Sequence, residues 1–201
     1  MNRKEFLVTS TLTAVGLTTI GCAIKTSEGS FEGDCETTND ILGPFYRPKA
    51  PERNNLLFDG LKGTKIQLKG AVYQSDCKTL IKNALVEIWH CDSEGNYDNE
   101  SDLFLHRAVA KTTKAGNYDF LTIIPGKYLN GELFRPSHIH YRVSAPGYKE
   151  LISQIYFKGD PHITKDPWAS QPKANMRILD LIPENTKGEL SVTFDIYLPK
   201  K

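Results

Sequence analysis

The chain carries the sequence RPSHIHYRV at residues 135–143. This run is typical of a β-strand that begins just after a proline, where the missing N–H removes no ladder hydrogen bond. Alternate side chains of a strand point to opposite faces. One face carries the apolar side chains of Ile139, Tyr141 and Val143. The other face carries His138 and His140, whose Cα atoms lie about 6–7 Å apart on a strand and which could both reach one metal ion.

Two histidines with this spacing are a weak signal on their own. A half-buried strand with a polar outer face is the better explanation until the chain supplies more ligands. The metal hypothesis therefore depends on what the remaining sequence contributes.

Other segments with strand character surround this run. They alternate apolar and polar residues or are rich in β-branched residues, and lie at 65–73, 84–90, 107–113, 118–124, 151–157 and 190–198. The turn at 114–117 predicts a hairpin between its two flanking strands. Residues 39–48 predict an ordered arm lying on the domain, and residues 176–182 are compatible with a short helix. The pattern predicts an all-β fold, a β-sandwich of about seven to eight antiparallel strands with long irregular loops and little helix.

Composition supports this fold class and limits the function. The chain has 201 residues, which is enough for one domain whose hydrophobic core is stable without disulfides or a structural metal. Nine Tyr, nine Phe, fifteen Gly and eleven Pro suit a turn-rich β protein. Lys and Arg total 25 against 24 Asp and Glu, so the net charge of +1 shows no basic excess of the kind that binds nucleic acid.

The N-terminus has the features of an export signal. Arg3 and Lys4 precede an uncharged stretch, residues 6–20, that is too short and too rich in Thr for a membrane span. Gly21 before Cys22 resembles a bacterial lipoprotein cleavage site, and the start of the chain resembles a twin-arginine signal. We therefore expect an exported protein, membrane-anchored or periplasmic, whose contact with the membrane is limited to a lipid on Cys22.

The sequence predicts three segments in the chain. Residues 1–22 are expected to form the signal, residues 23–34 a polar, flexible tether, and residues 35–201 one β-sandwich domain. An exported protein permits disulfides. Of the three cysteines in the domain, we expect Cys35 and Cys77 to pair and Cys91 to stay free, and none has the spacing of a zinc site.

Two tyrosines follow tight turns. Tyr97 comes after Gly95 and Asn96, and Tyr128 comes after Pro125 and Gly126. Loops held by a rigid scaffold often carry functional groups. An ordinary amphipathic aromatic at a loop is the better explanation for either tyrosine when it is considered alone.

The order of these motifs identifies a family resemblance. The patterns are W-x-x-D-x-x-G-x-Y at 89–97, P-G-x-Y at 125–128 and R-P-x-H-I-H at 135–140. The arm GPFYRP at 43–48 and the run Q-x-Y-F-x-G-D-P at 154–161 accompany them. Together they resemble the intradiol ring-cleavage dioxygenases over about residues 35–198.

The resemblance implies a β-sandwich that holds non-haem Fe(III). It implies that the metal ligands are Tyr97, Tyr128, His138 and His140. It places Arg135 beside the substrate as a stabiliser of negative charge and Gln154 near the site as a hydrogen-bonding group. It makes Tyr128 a displaceable ligand, although Tyr97 could exchange roles with it.

The implied reaction is cleavage of a catechol-type aromatic by O₂, with both oxygen atoms entering a cis,cis-muconate-type diacid. The expected partners are the catechol and O₂, and the sequence leaves open which catechol is used and whether the protein forms a homo-oligomer. The main alternative is a non-catalytic surface β-sandwich, because residues 116–128 also resemble carboxypeptidase-regulatory-type binding domains. A zinc hydrolase is disfavoured because no acidic general base lies near the histidine pair in the sequence.

Overall fold

The computed structural model of the protein describes residues 24–25, 31–32, 35–184 and 188–201. The predicted export signal, residues 1–22, lies outside the described residues, as does most of the predicted tether. Two short parts of the tether pair as antiparallel strands, Ile24–Lys25 with Phe31–Glu32. Within the described residues, no helix is long and apolar enough to cross a membrane.

Strands dominate the described part of the chain. They are β1 Ile24–Lys25, β2 Phe31–Glu32, β3 Lys65–Gln74, β4 Leu85–Trp89, β5 Arg107–Lys111, β6 Asn117–Ile123, β7 Tyr128–Asn130, β8 Leu133–Arg135, β9 His138–Ser144, β10 Leu151–Phe157, β11 Ile178–Leu179, β12 Ile182–Pro183, β13 Leu190–Thr193 and β14 Ile196–Leu198. In the residues that the structure describes, helix is limited to two short 3-10 segments, Ile163–Lys165 and Pro172–Arg177. Seven of these strands have four or more residues, which agrees with the predicted number.

The first sheet has the order β11-β10-β9-β4-β5, so the histidine strand β9 lies at its centre. His140 is paired with Trp89 of β4 on one side and with Gln154 of β10 on the other. The second sheet has the order β12-β13-β3-β14, with β6 also paired to β3. None of the predicted site residues belongs to this second sheet.

The two sheets share one hydrophobic core. It joins apolar side chains of the first sheet, such as Ile88 and Ile139, to those of the second, such as Leu68, Phe120 and Val192. All five are fully buried. Each side chain of this size contributes about 1.5–3 kcal/mol when it leaves water. The predicted all-β sandwich is therefore confirmed.

The predicted hairpin across residues 107–124 is wrong. The turn itself forms, with Gly116 N donating to Thr113 O at 2.9 Å. Its flanking strands then separate, because β5 pairs with β4 in the first sheet and β6 pairs with β3 in the second. The turn is therefore a corner between the sheets.

The sheets are also mixed, whereas the sequence predicted antiparallel strands. β11 lies parallel to β10, and β13 and β14 lie parallel to β3. The predicted closing strand 190–198 is interrupted at Phe194 and Asp195. The carboxylate of Asp195 accepts the N–H of Ala71 at 2.9 Å, and the carbonyl of Phe194 lies so close to Gly70 that a Cβ there would sit 2.0 Å from its oxygen.

Residues 176–182 are not a single helix. The 3-10 segment ends at Arg177, and the chain continues as β11 because Ile178 and Leu179 pair with Tyr156 and Phe157. The arm at 39–48 agrees with its prediction. It has no helix or strand and is fixed to β10 by a hydrogen bond from Asp40 N to Ile152 O at 2.9 Å.

Candidate metal centre

Strand β9 places the two histidines of the site side by side. Their ring centroids are 4.9 Å apart, and His138 and His140 are 0% and 1% exposed. The face that carries them is therefore covered, and the half-buried strand with a polar outer face is not what the structure contains. The alternation prediction for the opposite face is confirmed, because Ile139, Tyr141 and Val143 are fully buried in the core.

The ring of His138 has a defined tautomer. Its Nδ1 lies 2.7 Å from the carbonyl oxygen of Pro136, which can only accept a hydrogen bond. Nδ1 therefore carries the proton, and Nε2 presents a lone pair. Burial lowers the pKa of His138 to about 3, so the ring is neutral at ordinary pH. The Tyr97 hydroxyl lies 3.5 Å from Nε2.

His140 is held differently. Both of its ring nitrogens are buried and have no hydrogen-bond partner among the described residues. Its ring stacks on Trp89 at 4.8 Å and 10°, and on another side it meets Gly43, where a Cβ would lie 2.9 Å from Cε1. A buried polar group without a partner costs about 1–3 kcal/mol. A metal ion that accepts a nitrogen lone pair would offset that cost.

Tyr97 is delivered by a turn that Asp92 organises. The Asp92 carboxylate accepts the N–H groups of Glu94 and Asn96 at 2.8 and 2.9 Å. Gly95 has a φ of +93°, a backbone conformation that favours glycine. These contacts explain the spacing of aspartate, glycine and tyrosine in the 89–97 motif.

The turn that delivers Tyr128 packs directly on the turn that delivers Tyr97. Gly126 N donates to Asp92 O at 2.8 Å. A Cβ on Gly95 would lie 2.5 Å from the Lys127 carbonyl oxygen, and a Cβ on Gly126 equally close to that of Ser93. The backbones can approach only because both residues are glycine. The two tyrosine rings consequently lie 5.7 Å apart between their centroids.

The two phenols are protonated in this environment. Burial raises the pKa of Tyr97 well above its usual value. Burial also raises the pKa of Tyr128, against the opposing influence of the Arg135 guanidinium. A cation bound between them would have to displace their protons. Phe45 of the arm stacks on Tyr97 at 4.3 Å and meets Tyr128 edge-on at 5.8 Å, which shields this side of the site.

Arg135 lies beside Tyr128, to which it is paired in the β7–β8 hairpin. It is 3% exposed, which excludes a surface ion pair. Its Nε donates to Asp166 at 2.6 Å, and its Nη2 donates to Gln154 at 2.9 Å. The indole of Trp168 lies over the guanidinium at 4.3 Å. The arginine is therefore enclosed by protein on several sides.

Gln154 lies behind Arg135. Its Oε1 accepts from Arg135, and its Nε2 donates to Ile41 O of the arm at 2.8 Å. The Tyr156 hydroxyl joins the same group, 3.2 Å from Gln154 Oε1 and 3.0 Å from Asp40 Oδ2. This arrangement gives Gln154 a role in holding the arginine.

The structure brings all six predicted site residues into one region. Sequence reasoning missed Asp166, whose only signal was the turn-forming run Asp-Pro-Trp. It also missed Phe45 as a contact of both tyrosines. The cysteine prediction is confirmed, because Cys35 and Cys77 form a disulfide and Cys91 is free and buried. In the described part of the chain, no group of three or more His, Cys, Asp or Glu side chains could hold a metal ion, so a site here depends on the two phenols.

Comparisons with known proteins show what the chain is similar to. A family model described as "Dioxygenase" matches residues 41–200, a span that includes all six predicted site residues. The chain is 35% identical over 150 residues to catechol 1,2-dioxygenase 2 of Acinetobacter lwoffii, covering 65% of this chain and 54% of that protein. It is 33% identical over 186 residues to catechol 1,2-dioxygenase of Acinetobacter baylyi, covering 81% and 58%.

A solved structure is also similar. It is the dioxygenase domain of a dioxygenase carbohydrate-binding protein fusion from Streptomyces sp. SirexAA-E, with a TM-score of 0.73 and 28% identity over 83% of this chain and 100% of that one. The chain thus spans slightly more than half the length of the two catechol dioxygenases it matches, and the full length of the Streptomyces domain.

Proposed function

Because the chain belongs to the intradiol ring-cleaving dioxygenase family, we propose that it cleaves a catechol-type aromatic with O₂ in an Fe(III)-dependent reaction. The bond between the two hydroxyl-bearing carbons breaks, and each of these carbons gains one atom of O₂. The product is a cis,cis-muconate-type diacid. The observation that carries the proposal is the convergence of two buried neutral histidines and two tyrosines, with both nitrogens of His140 unpaired.

The donor set suits ferric iron. The ligands would be the phenol oxygens of Tyr97 and Tyr128, Nε2 of His138 and a ring nitrogen of His140. Imidazole alone suits several metals, but phenolates favour a hard trivalent cation that can displace their protons. When bound, ferric iron would supply Lewis acidity and a template for the substrate oxygens.

The chain's own residues supply orientation, charge and proton transfer. Arg135 is a cation fixed before substrate arrives, and such groups stabilise negative charge that develops during reaction. Tyr128 would be one of the residues that hold the iron, and its phenolate oxygen would be the group that takes up a proton from a substrate hydroxyl. The Phe45 ring beside Tyr97 and Tyr128 limits the access of water from the arm side.

The binding-module alternative is not favoured. A module that only binds a surface ligand gains nothing from burying an imidazole with two unpaired nitrogens, which is a cost to stability. Such a module would also have no need for a buried arginine. Burial alone would lower the pKa of the Arg135 guanidinium, and the buried Asp166 carboxylate offsets this and helps to raise that pKa.

Two measurements test the function. Iron-loaded protein should be coloured by charge transfer from phenolate to Fe(III), and it should consume one O₂ per catechol across a panel of small catechols. Tyr128→Phe should bleach or shift the band, whereas Tyr73→Phe, which removes a hydroxyl from the second sheet, should not. A colourless protein that holds stoichiometric zinc would rule out the iron assignment. Bound iron without oxygen uptake would favour the binding module.

We also propose that the protein acts outside the cytoplasm. The Cys35–Cys77 disulfide supports this, because such bonds persist in oxidising compartments. Cell fractionation should recover the protein in the envelope, and Cys22→Ala should release it if a lipid anchors it. Recovery of the reduced protein from the cytoplasm would contradict the proposal.

A further inference from the structure

We propose that Asp166 is a positioning residue of this site, whose carboxylate fixes the guanidinium of Arg135 for the ring-cleavage reaction without touching metal or substrate. The inference rests on the proposed function and assigns a role to a residue that the motifs of the chain did not single out.

The first observation is the buried ion pair itself. Arg135 Nε donates to Asp166 Oδ2 at 2.6 Å, and the two side chains are 3% and 1% exposed. Hydrogen bonds between charged partners are roughly twice as strong as neutral ones. In a buried position, water cannot replace either partner. The pair therefore holds the guanidinium in one place.

The second observation is the use of the other carboxylate oxygen. Asp166 Oδ1 accepts the N–H groups of Trp168 and Ala169 at 3.0 and 2.7 Å. These bonds set the turn that places the Trp168 indole 4.3 Å from the Arg135 guanidinium. The Asp166 carboxylate thus fixes Arg135 in two ways. Its Oδ2 binds the guanidinium directly, and its Oδ1 positions the Trp168 indole that lies over the guanidinium. A residue that served only as a turn cap would not need to bury Oδ2 against a cation.

The third observation is the number of constraints on the guanidinium plane. Asp166 holds Nε, while Gln154 and Tyr156 lie 2.9 and 3.4 Å from Nη2. A planar group bonded at two of its nitrogens cannot rotate, and none of these three partners uses Nη1. Without Asp166, the plane would pivot about Nη2, and the positive charge would move relative to Tyr128. A displacement of about 1 Å can cost roughly a hundredfold in rate.

The burial of the Asp166 side chain, which is 1% exposed, and the three hydrogen bonds that its carboxylate accepts argue against a competing role as general base. Each oxygen of Asp166 already accepts hydrogen bonds from the protein. A general base needs a free lone pair within reach of the substrate proton. Asp166 therefore acts through Arg135.

The kinetic test uses iron-loaded full-length protein, with kcat expressed per bound iron. Asp166→Asn removes the charge and should lower kcat about a hundredfold while KM changes only a few-fold. Asp166→Glu restores the charge and should recover about tenfold of that loss. The matched control is Asp195→Asn, the same change at a carboxylate that accepts a backbone N–H in the second sheet. Equal kcat in Asp166→Asn and wild type, or equal impairment in the Asn and Glu variants, would overturn the proposal.

A double-mutant cycle separates positioning from a general structural effect. If Asp166 acts through Arg135, then Arg135→Lys combined with Asp166→Asn should be no slower than Arg135→Lys alone, within about twofold. Losses that multiply in the double variant would mean that Asp166 acts independently of the arginine, and would overturn the proposal.

The last readout needs neither metal nor turnover. In the metal-free wild type, the Nε–H proton of Arg135 should exchange with solvent far more slowly than that of Arg142, whose side chain is 38% exposed. Equal exchange rates would overturn the proposal even if Asp166→Asn failed to fold. Failure of the proposed function would give another result. Iron-loaded wild type would take up no oxygen, although the Arg135 Nε–H proton still exchanged slowly. In that case the catalytic role of Asp166 would be rejected together with the proposed function.

Discussion

Substitution of Gly43 by alanine should damage the metal centre through a single methyl group. Gly43 has a φ of +75°, and a Cβ there would lie 2.9 Å from His140 Cε1. The substitution therefore imposes two separate costs, one on the backbone and one on the histidine. Their sizes can be worked out separately, because another glycine in the chain carries only the first.

The backbone cost follows from the positive φ. A residue with a Cβ in this region costs about 1–2 kcal/mol. For a protein of this size that lowers Tm by about 2–8 °C. Gly60 is the matched control, because its φ is +80° and none of the described residues other than its chain neighbours lies within 4 Å of its Cβ position. Gly60→Ala should show this loss and nothing else.

The steric cost falls on the imidazole. Carbon atoms prefer to be about 3.5–4.0 Å apart, so the His140 ring would have to move by about 0.5–1 Å. It cannot move away freely, because Trp89 stacks on it at 4.8 Å and β9 is paired on both sides. We expect iron affinity to fall roughly ten- to hundredfold in Gly43→Ala, as it does when a group that orients a ligand is lost.

Two assays separate these costs. Thermal unfolding of the metal-free variants measures the loss of stability, and competition with a chelator measures iron affinity. Gly60→Ala gives the backbone cost alone, Gly43→Ala should lose at least as much stability, and only Gly43→Ala should lose affinity and shift the visible band. The reasoning is refuted if Gly43→Ala binds iron as tightly as Gly60→Ala does, because His140 would then not be held by contact with the arm.

Three further predictions concern the rest of the fold. Replacing both Cys35 and Cys77 by serine should lower the free energy of unfolding by about 4 kcal/mol, because the disulfide closes a loop with a sequence separation of 42 and so reduces the entropy of the unfolded chain. A urea titration with an unchanged midpoint would contradict this. Burial raises the pKa of the Cys91 thiol to about 12, so a disulfide reagent at pH 8 should label it only after unfolding, and rapid labelling of the native protein would show that it is accessible. Burial lowers the pKa of His90 from 6.5 to about 3. Between these two pH values the unfolded state binds a proton that the folded state does not, so the free energy of unfolding falls as the pH is lowered from 6.5 toward 3. Above pH 6.5 this loss is absent, and the contribution of the neutral His90 to stability is complete. His90→Gln should reduce the acid slope of stability by up to about 1.4 kcal/mol per pH unit, and an identical slope would exclude this origin.

The sequence predicted features that depend on local rules. Alternation along β9 correctly assigned Ile139 to the core, and the glycines at positions 95 and 126 correctly marked the turns that carry the tyrosines. These rules concern backbone geometry within a few residues, so they hold whatever the rest of the chain does. The turn at 113–117 shows the limit of these local rules. It reverses the chain, but it does not decide which sheet each of the flanking strands, β5 and β6, joins.

Features that depend on distant partners could not be predicted in this way. Asp166 lies 31 residues from Arg135 in sequence, and its pairing with that residue follows from the path of the chain after β10. The covering of His138 and His140 likewise depends on the arm and on the two tyrosine turns. A strand pattern alone shows that these side chains share a face, but it does not show what lies on top of that face.

The contrast between the two histidines indicates how the fold would prepare the proposed metal site. His138 is oriented by a hydrogen bond from Nδ1 to Pro136 O, which leaves the lone pair on Nε2, 3.5 Å from the Tyr97 hydroxyl. His140 is oriented by ring stacking on Trp89 and by the close approach of Gly43, contacts that use no nitrogen. The metal-free protein therefore carries the cost of two unpaired buried nitrogens, of which a metal ion can relieve only one. The shape of the pocket, supplied by a glycine and a tryptophan, must hold the ring in place against that cost, which is why a methyl group at position 43 should disturb iron binding more than its effect on stability suggests.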